Sequence, residues 1–130
     1  MKLESIYRPG VFAVDSDHNL AAAACRMEEA QVGTLAVLDG GELVGIITER
    51  DLIRAIAQVV NPAYATVSAY ASPGPHVADV EEDSRDVVRR MLGLGARDLP
   101  VTIGDGPLRD RHVVGVISMR DLLMAKALVE

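Results

Sequence analysis

The sequence predicts an α/β fold built from two copies of a β-α-β-β-α unit packed sheet to sheet. Three observations carry that expectation. An eight-residue phrase is written twice, as GIITERDL from Gly45 to Leu52 and as GVISMRDL from Gly115 to Leu122. The chain also matches itself at an offset of 64, which pairs Pro9-Gly10 with Pro73-Gly74, Met27 with Met91 and Leu35 with Leu99. Beyond Val101 the offset becomes 70, so the second half holds six extra residues, and the Gly-, Pro- and Asp-rich stretch GDGPLRDR (104–111) is where a surface loop would carry them. The third observation is composition: 130 residues, 49% hydrophobic but only 3% aromatic, call for an aliphatic core. A unit of about 60 residues buries too little surface to be comfortable alone, so the halves, 1–65 and 66–130, are expected to pack together.

The elements follow in order. VFAVDSD (11–17) begins extended, and Asp17 or Asn19 caps a helix through Leu20, Ala23, Ala24, Met27 and Ala30 that ends near Gly33. TLAVL (34–38) and LVGII (43–47) are strands joined around Asp39-Gly40-Gly41, a hairpin signal. A helix from Glu49 to about Val60 places Leu52, Ile53, Ile56 and Val59 or Val60 on one face, and Asn61-Pro62 stops it. The second half repeats the pattern. VSAYASPGP (67–75) is an irregular lead-in and HVADV (76–80) is extended. Asp83 caps a helix with Val87, Val88, Met91 and Leu94, which Gly95 ends. LPVTI (99–103) and HVVGVI (112–117) are strands, and a last helix runs from Met119 towards Leu128.

In each copy of the phrase a β-branched strand runs into Thr48 or Ser118, followed three residues on by Asp51 or Asp121. That spacing is a helix start, and it has two readings. As a capping box it stabilises the helix with no ligand present. As part of a site, it sets an acid beside the exposed amides of a helix N-terminus, which favour an anion.

At this point the residues resemble a known family. A doubled unit closing with glycine, two apolar residues, Ser or Thr, two further residues and Asp is similar to a tandem pair of cystathionine-β-synthase-type (CBS) domains, a Bateman module. The lead-ins LESIYRPGVFAVDSD and VSAYASPGPHVADVEED fit as well, although Tyr7-Arg8 and Ala71-Ser72 stand where many members carry Met-Thr. The resemblance covers essentially the whole chain. It implies two repeats related by a pseudo-two-fold axis, and a regulatory module rather than an enzyme. It implies adenosine-containing ligands (AMP, ADP, ATP or S-adenosylmethionine) in clefts between the repeats, with no cofactor required, and assembly as a flat homodimer that signals to a partner protein. Carried over by motif, Asp51 with Thr48 and Asp121 with Ser118 would hold ribose hydroxyls and phosphate. Gly33 and Thr34, and Arg97 and Asp98, would line the clefts just before the middle strands. A carboxylate accepting from two vicinal hydroxyls makes charge-assisted bonds of roughly 1.5–3 kcal/mol each.

Other residues are weighed in the same way. Arg50 and Arg120 precede the two aspartates; each contacts phosphate or is a solvated helix-face arginine, and for Arg50 pairing with a nearby acid is favoured. Arg97 has the planar guanidinium that suits a phosphate, while Asp98 beside it either pairs with Arg97 or repels an anion. His18, His76 and His112 lack metal-ligand spacing, which favours surface positions. Cys25, the single cysteine, sits in an Ala-rich helical run and reads as a small buried filler. Nothing in the sequence assembles a nucleophile, a base and an oxyanion site. The apolar stripe Leu52, Ile56, Leu122, Leu123 and Ala127 on the closing helices serves either a homodimer or the internal core.

A net charge of −6 with no basic stripe argues against a nucleic-acid partner. No apolar run approaches the roughly 20 residues that span a bilayer, and MKLESIYRPG does not read as a signal peptide, so a cytoplasmic setting is expected. From a different class of function, the chain would be a structural dimerisation module with both clefts empty.

Overall fold

In each repeat a short parallel strand, a capped helix and a hairpin precede a second helix. A computed structural model describes residues 1–73 and 76–129, and the side chains of the last helix as far as Ala125. In the first repeat these elements are β2 (Ala13–Asp15), α1 (Leu20–Ala30), β3 (Thr34–Asp39), β4 (Glu42–Thr48) and α2 (Glu49–Ala57). In the second they are β5 (Ala78–Asp79), α4 (Ser84–Leu94), β6 (Asp98–Ile103), β7 (His112–Ser118) and α5 (Met119–Val129). A 3-10 turn (Leu3–Ser5) and a two-residue strand, β1 (Arg8–Pro9), precede the first repeat, and a single helical turn, α3 (Val67–Tyr70), lies between the repeats. Gly74-Pro75 and the side chain of Ala127 lie outside the described residues. Among the described residues no helix is long and apolar enough to cross a membrane.

The repeats copy each other in register. β2 pairs parallel with β3, and β3 antiparallel with β4; β5, β6 and β7 pair in the same way. Both hairpins carry a register shift at equivalent places, Val37/Leu38 and Val101/Thr102. Gly40 and Gly41 turn the first hairpin with φ of 58° and 86°, values an L side chain adopts only under strain. The inner faces of the sheets meet through Ala36, Leu43, Ile46 and Val77. Leu108, on a 3-10 turn within the six-residue insertion, packs against that cluster, so the expected surface loop contributes to the interior. The helices cover the outer faces, with Leu20, Met27 and Ala55 packed on Leu35, Val37 and Ile47, and Val87 and Met91 packed on Leu99, Val101 and Ile117.

The lead-in segments cross over. β1 pairs with β7, setting Arg8 opposite Val116 and Pro9 opposite Gly115, and Leu3 is fully buried in the core of the second repeat. In return Val67 is buried in the core of the first repeat, and Ser72 exchanges two backbone hydrogen bonds with Ile46, at 2.9 and 3.1 Å. Gly45 and Gly115, the first letters of the doubled phrase, make these crossings possible. A Cβ at Gly45 would stand 2.6 Å from the Ser72 carbonyl oxygen, and one at Gly115 would stand 2.3 Å from that of Arg8.

Several local expectations are corrected. Asn19, not Asp17, caps α1, its Oδ1 accepting from the Ala22 N–H at 2.8 Å. That helix stops at Ala30 because Gln31 turns left-handed (φ 56°) and donates its N–H to the last-turn carbonyls. Helix α2 stops at Ala57 for a similar reason, with Val59 at φ 60° and the Val60 N–H bonded to the Ala55 carbonyl. Its inward face is Asp51 and Ala55, flanked by Leu52 and Val60, whereas Ile53, Ile56 and Val59 are 67%, 60% and 92% exposed. The cap at Thr48 sets that rotation by drawing Asp51 inward. Leu122 is buried but Leu123 is exposed, so the closing-helix stripe divides between core and surface. Residues 67–70 form a helical turn instead of an irregular lead-in. Cys25 is exposed, beside a shallow hollow between β2 and α1.

Candidate functional site between the repeats

The two strand-to-helix corners are built alike but finished differently. At the first, Thr48 Oγ1 accepts from the Asp51 N–H at 3.3 Å, and Asp51 Oδ2 accepts from the Thr48 N–H at 2.8 Å and from its hydroxyl at 3.1 Å. This is the complete capping box that the spacing allows. Arg54 Nη2 closes on Asp51 Oδ1 at 3.2 Å, so both carboxylate oxygens have donors and the residue is only 6% exposed. At the second corner Ser118 Oγ accepts from the Asp121 N–H at 2.9 Å. Among the described contacts no donor reaches the Asp121 carboxylate, which is half-buried at a cleft wall.

Each corner faces the other repeat across a cleft. The first, about 550 Å³, runs from Thr48, Arg50 and Asp51 to the end of α4 at Leu94–Ala96, with Ser72 and His76 at its side. The second, about 1090 Å³, runs from Ser118, Arg120 and Asp121 to the end of α1 at Met27, Glu28 and Gln31, with Arg8 on its wall. Gly33, Glu49, Arg97 and Asp98 line both.

That common wall is held by backbone bonds that follow the repeat. The Glu49 N–H donates to the Gly33 carbonyl at 3.0 Å, and the Met119 N–H to the Arg97 carbonyl at 2.8 Å. Asp98 Oδ2 accepts from the Gly33 N–H at 2.8 Å and ties one repeat to the other. Burial pushes the Asp98 carboxyl above the ordinary aspartate value and the Glu49 charge adds to this, while the Gly33 amide and Arg97 offset part of it. Arg97 Nη2 donates to Glu49 Oε1, and this contact is the main cause that raises the guanidinium pKa, with the Asp98 charge adding a smaller push in the same direction.

Because the folded-state value of Asp98 lies above the unfolded one, its protonated form favours the fold. That contribution is present below about pH 3.8 and is lost as pH rises through the folded value. Asp98→Asn keeps an oxygen for the Gly33 amide and removes the buried charge. It is expected to match or exceed the parent stability at neutral pH and to flatten this part of the pH profile, as read from urea midpoints across the acid range.

The structure brings together Thr48, Arg50, Asp51, Gly33, Arg97 and Asp98 at the first cleft, and Ser118, Arg120, Asp121, Gly33, Arg97 and Asp98 at the second. Thr34 joins neither; it is 1% exposed under the hairpin, its hydroxyl 3.5 Å from the Ile47 carbonyl oxygen. Arg50 lies over Gly95, and among the described contacts it has no acidic partner, contrary to the pairing expected for it. Sequence reasoning missed Glu49, Arg54 and Arg8. Glu49 stands inside the doubled phrase opposite Met119, and that mismatch is the signal that could have found it.

His18 sits on the surface with Asp15 and Asp17, and the candidate ligand atoms of these three exposed residues lie within 4.8 Å of one another. Exposed acids gather in this way without an ion, and none of the three lines either cleft.

Two repeated α/β units, sheet against sheet with paired clefts at their junction, define a class of tandem-repeat module. The CBS domain family model matches residues 3–58 and 67–128, and the chain belongs to that family. An uncharacterized 17.7 kDa protein from Acidianus ambivalens is 34% identical over 132 residues, covering 99% of this chain and 74% of that protein. Hypoxic response protein 1 of Mycobacterium tuberculosis is 27% identical over 119 residues, covering 90% of this chain and 79% of that protein. A crystal structure of Hypoxic Response Protein I with two coordinated zinc ions has a TM-score of 0.77 at 26% identity, over 95% of this chain and 98% of that one. The CBS domain pair of protein MJ0100, in complex with 5-methylthioadenosine and S-adenosyl-L-methionine, has a TM-score of 0.82 at 22% identity, over 100% and 98% of the two chains. CBSX2 in complex with AMP has a TM-score of 0.76 at 21% identity, over 98% and 97%.

Proposed function

We propose that this chain is a regulatory module, not an enzyme, that binds an adenosine-containing ligand between its repeats and signals by a shift between conformations. The observation that carries the reading is the pair of corners, each presenting an aspartate at the N-terminus of a helix to a cleft walled by the other repeat. Complexes of similarly folded proteins with AMP and with S-adenosylmethionine support the ligand class. In this reading Asp121 takes the ribose hydroxyls with Ser118 beside it, and Arg120 and Arg97 meet phosphate. Asp51, Thr48 and Arg50 offer the equivalent set, but Asp51 must first release Arg54. The second cleft is therefore the stronger site and Asp121 the cleaner probe.

Calorimetric titration with AMP, ADP, ATP and S-adenosylmethionine tests this. At least one is expected to bind, and Asp121→Ala is expected to weaken it by about tenfold or more, the loss of one or two charge-assisted hydrogen bonds. No binding by any of the four, or full affinity in Asp121→Ala, would count against the reading.

A second reading rests on exposed Ile53 and Ile56 of α2 and Leu123 and Met124 of α5, which suit a homodimer face. In it the clefts stay empty and assembly is the function; a dimer in sedimentation with no nucleotide response would favour it. A reducing cytoplasm suits the exposed thiol of Cys25 in either case.

A further inference from the structure

Resting on the adenosyl reading of the clefts, we propose that Arg97 is the anion-binding group shared by both clefts and that Glu49 is its internal competitor. Their contact then discriminates phosphorylated ligands from uncharged ones. Of the four residues that line both clefts, Arg97 is the one cation. The repeat does not duplicate it: the equivalent of Arg97 is Gly33, and the equivalent of Glu49 is Met119. Two fully symmetric clefts would each have a guanidinium of their own, whereas here one side chain stands between two spaces.

Glu49 already occupies that guanidinium. Its carboxylate lies over Gly33, where an added Cβ would stand 2.9 Å from Glu49 Oε1 and 3.4 Å from Arg97 Nη2. Both side chains are substantially exposed, so the pair is hydrated and contributes little to the fold. A phosphate offers Arg97 the same planar, two-point geometry with more charge, and it gains the guanidinium only by turning Glu49 away. Neighbouring cations are otherwise engaged or local. Arg54 is paired with Asp51, Arg8 donates to the Ala30 carbonyl, and Arg50 and Arg120 each face a single cleft. Two anionic ligands therefore compete for Arg97, while an uncharged adenosyl ligand does not call on it.

The test titrates the intact chain, Glu49→Gln, Arg97→Met and the double variant with AMP and with adenosine. Glu49→Gln is expected to bind AMP about two- to fivefold more tightly, the range of an exposed ion pair, with adenosine affinity unchanged. In the Arg97→Met background the Glu49→Gln gain is expected to vanish. Equal AMP affinity in the parent and Glu49→Gln, or an equal gain for adenosine, overturns the competitor role and leaves the adenosyl reading standing. If neither compound binds any of the four proteins, the role of Arg97 falls, and the adenosyl reading falls with it only if ADP, ATP and S-adenosylmethionine also fail to bind the parent.

Discussion

Gly115→Ala is expected to destabilise the protein by about 3 kcal/mol, the upper part of the range for forcing extra volume into a packed site. The added methyl group would stand 2.3 Å from the Arg8 carbonyl oxygen and 2.4 Å from Cδ2 of Tyr7. A flexible side-chain tip could move aside, but the Arg8 carbonyl belongs to β1, which is bonded to β7 at this point. Relief requires the lead-in strand to lift away. That would break the Arg8–Val116 register and the Gly10 N–H bond to the Val114 carbonyl, and would move Arg8 off the wall of the second cleft. Gly45→Ala should act in the same direction with a smaller effect, because its nearest neighbour, the Ser72 carbonyl oxygen, would be 2.6 Å away. Urea unfolding measures both, and hydrogen exchange at Gly10 reports the lifting directly. A Gly115→Ala midpoint equal to the parent's would mean that β1 does not lie on β7 in solution.

Leu3→Ala is expected to cost about 2–5 kcal/mol, the range for emptying a fully buried leucine site. Here Leu3 packs with Ala78, Val87, Met91, Leu99 and Ile117 of the second repeat, and the Met1 carbonyl accepts from the Ser84 N–H at 2.7 Å where α4 begins. Exchange protection should therefore fall first in α4 and β6, elements some 80–100 positions away in sequence. A loss below about 1 kcal/mol would show that the first turn is not seated in that core.

Together these two substitutions show which features were legible. Gly45 and Gly115 stood out as letters of a repeated phrase, yet their purpose did not: an alternating strand pattern says nothing about which backbone will cross it. Asp51 was readable both as a cap and as a ligand group, and its environment supplies both, since the capping box is complete and the carboxylate still borders a cleft. Periodicity set Leu52, Ile53, Ile56 and Val59 or Val60 on one face of α2; Leu52 and Val60 do flank the core, but Asp51 and Ala55 form the inward face and Ile53, Ile56 and Val59 are exposed. A helix cap holding a polar side chain in place outweighed the apolar stripe. Thr34 was placed correctly next to the cleft in sequence, but a strand residue alternates faces, and this one points under the hairpin.

By itself the sequence determined what local chemistry governs: two β-α-β-β-α units, their hairpin turn, the caps at Thr48 and Asp83, a cap at Asp17 or Asn19, and the aspartate after each strand-to-helix corner. Those signals lie within a few residues of their effects. Only the tertiary structure decided that the lead-in segments change places and that the clefts share the Glu49–Arg97 wall. These contacts join residues well separated along the chain, from Ser72 with Ile46 to Arg8 with Val116. Contacts of that kind arise from packing two sheets against each other, and no spacing along the chain encodes them directly.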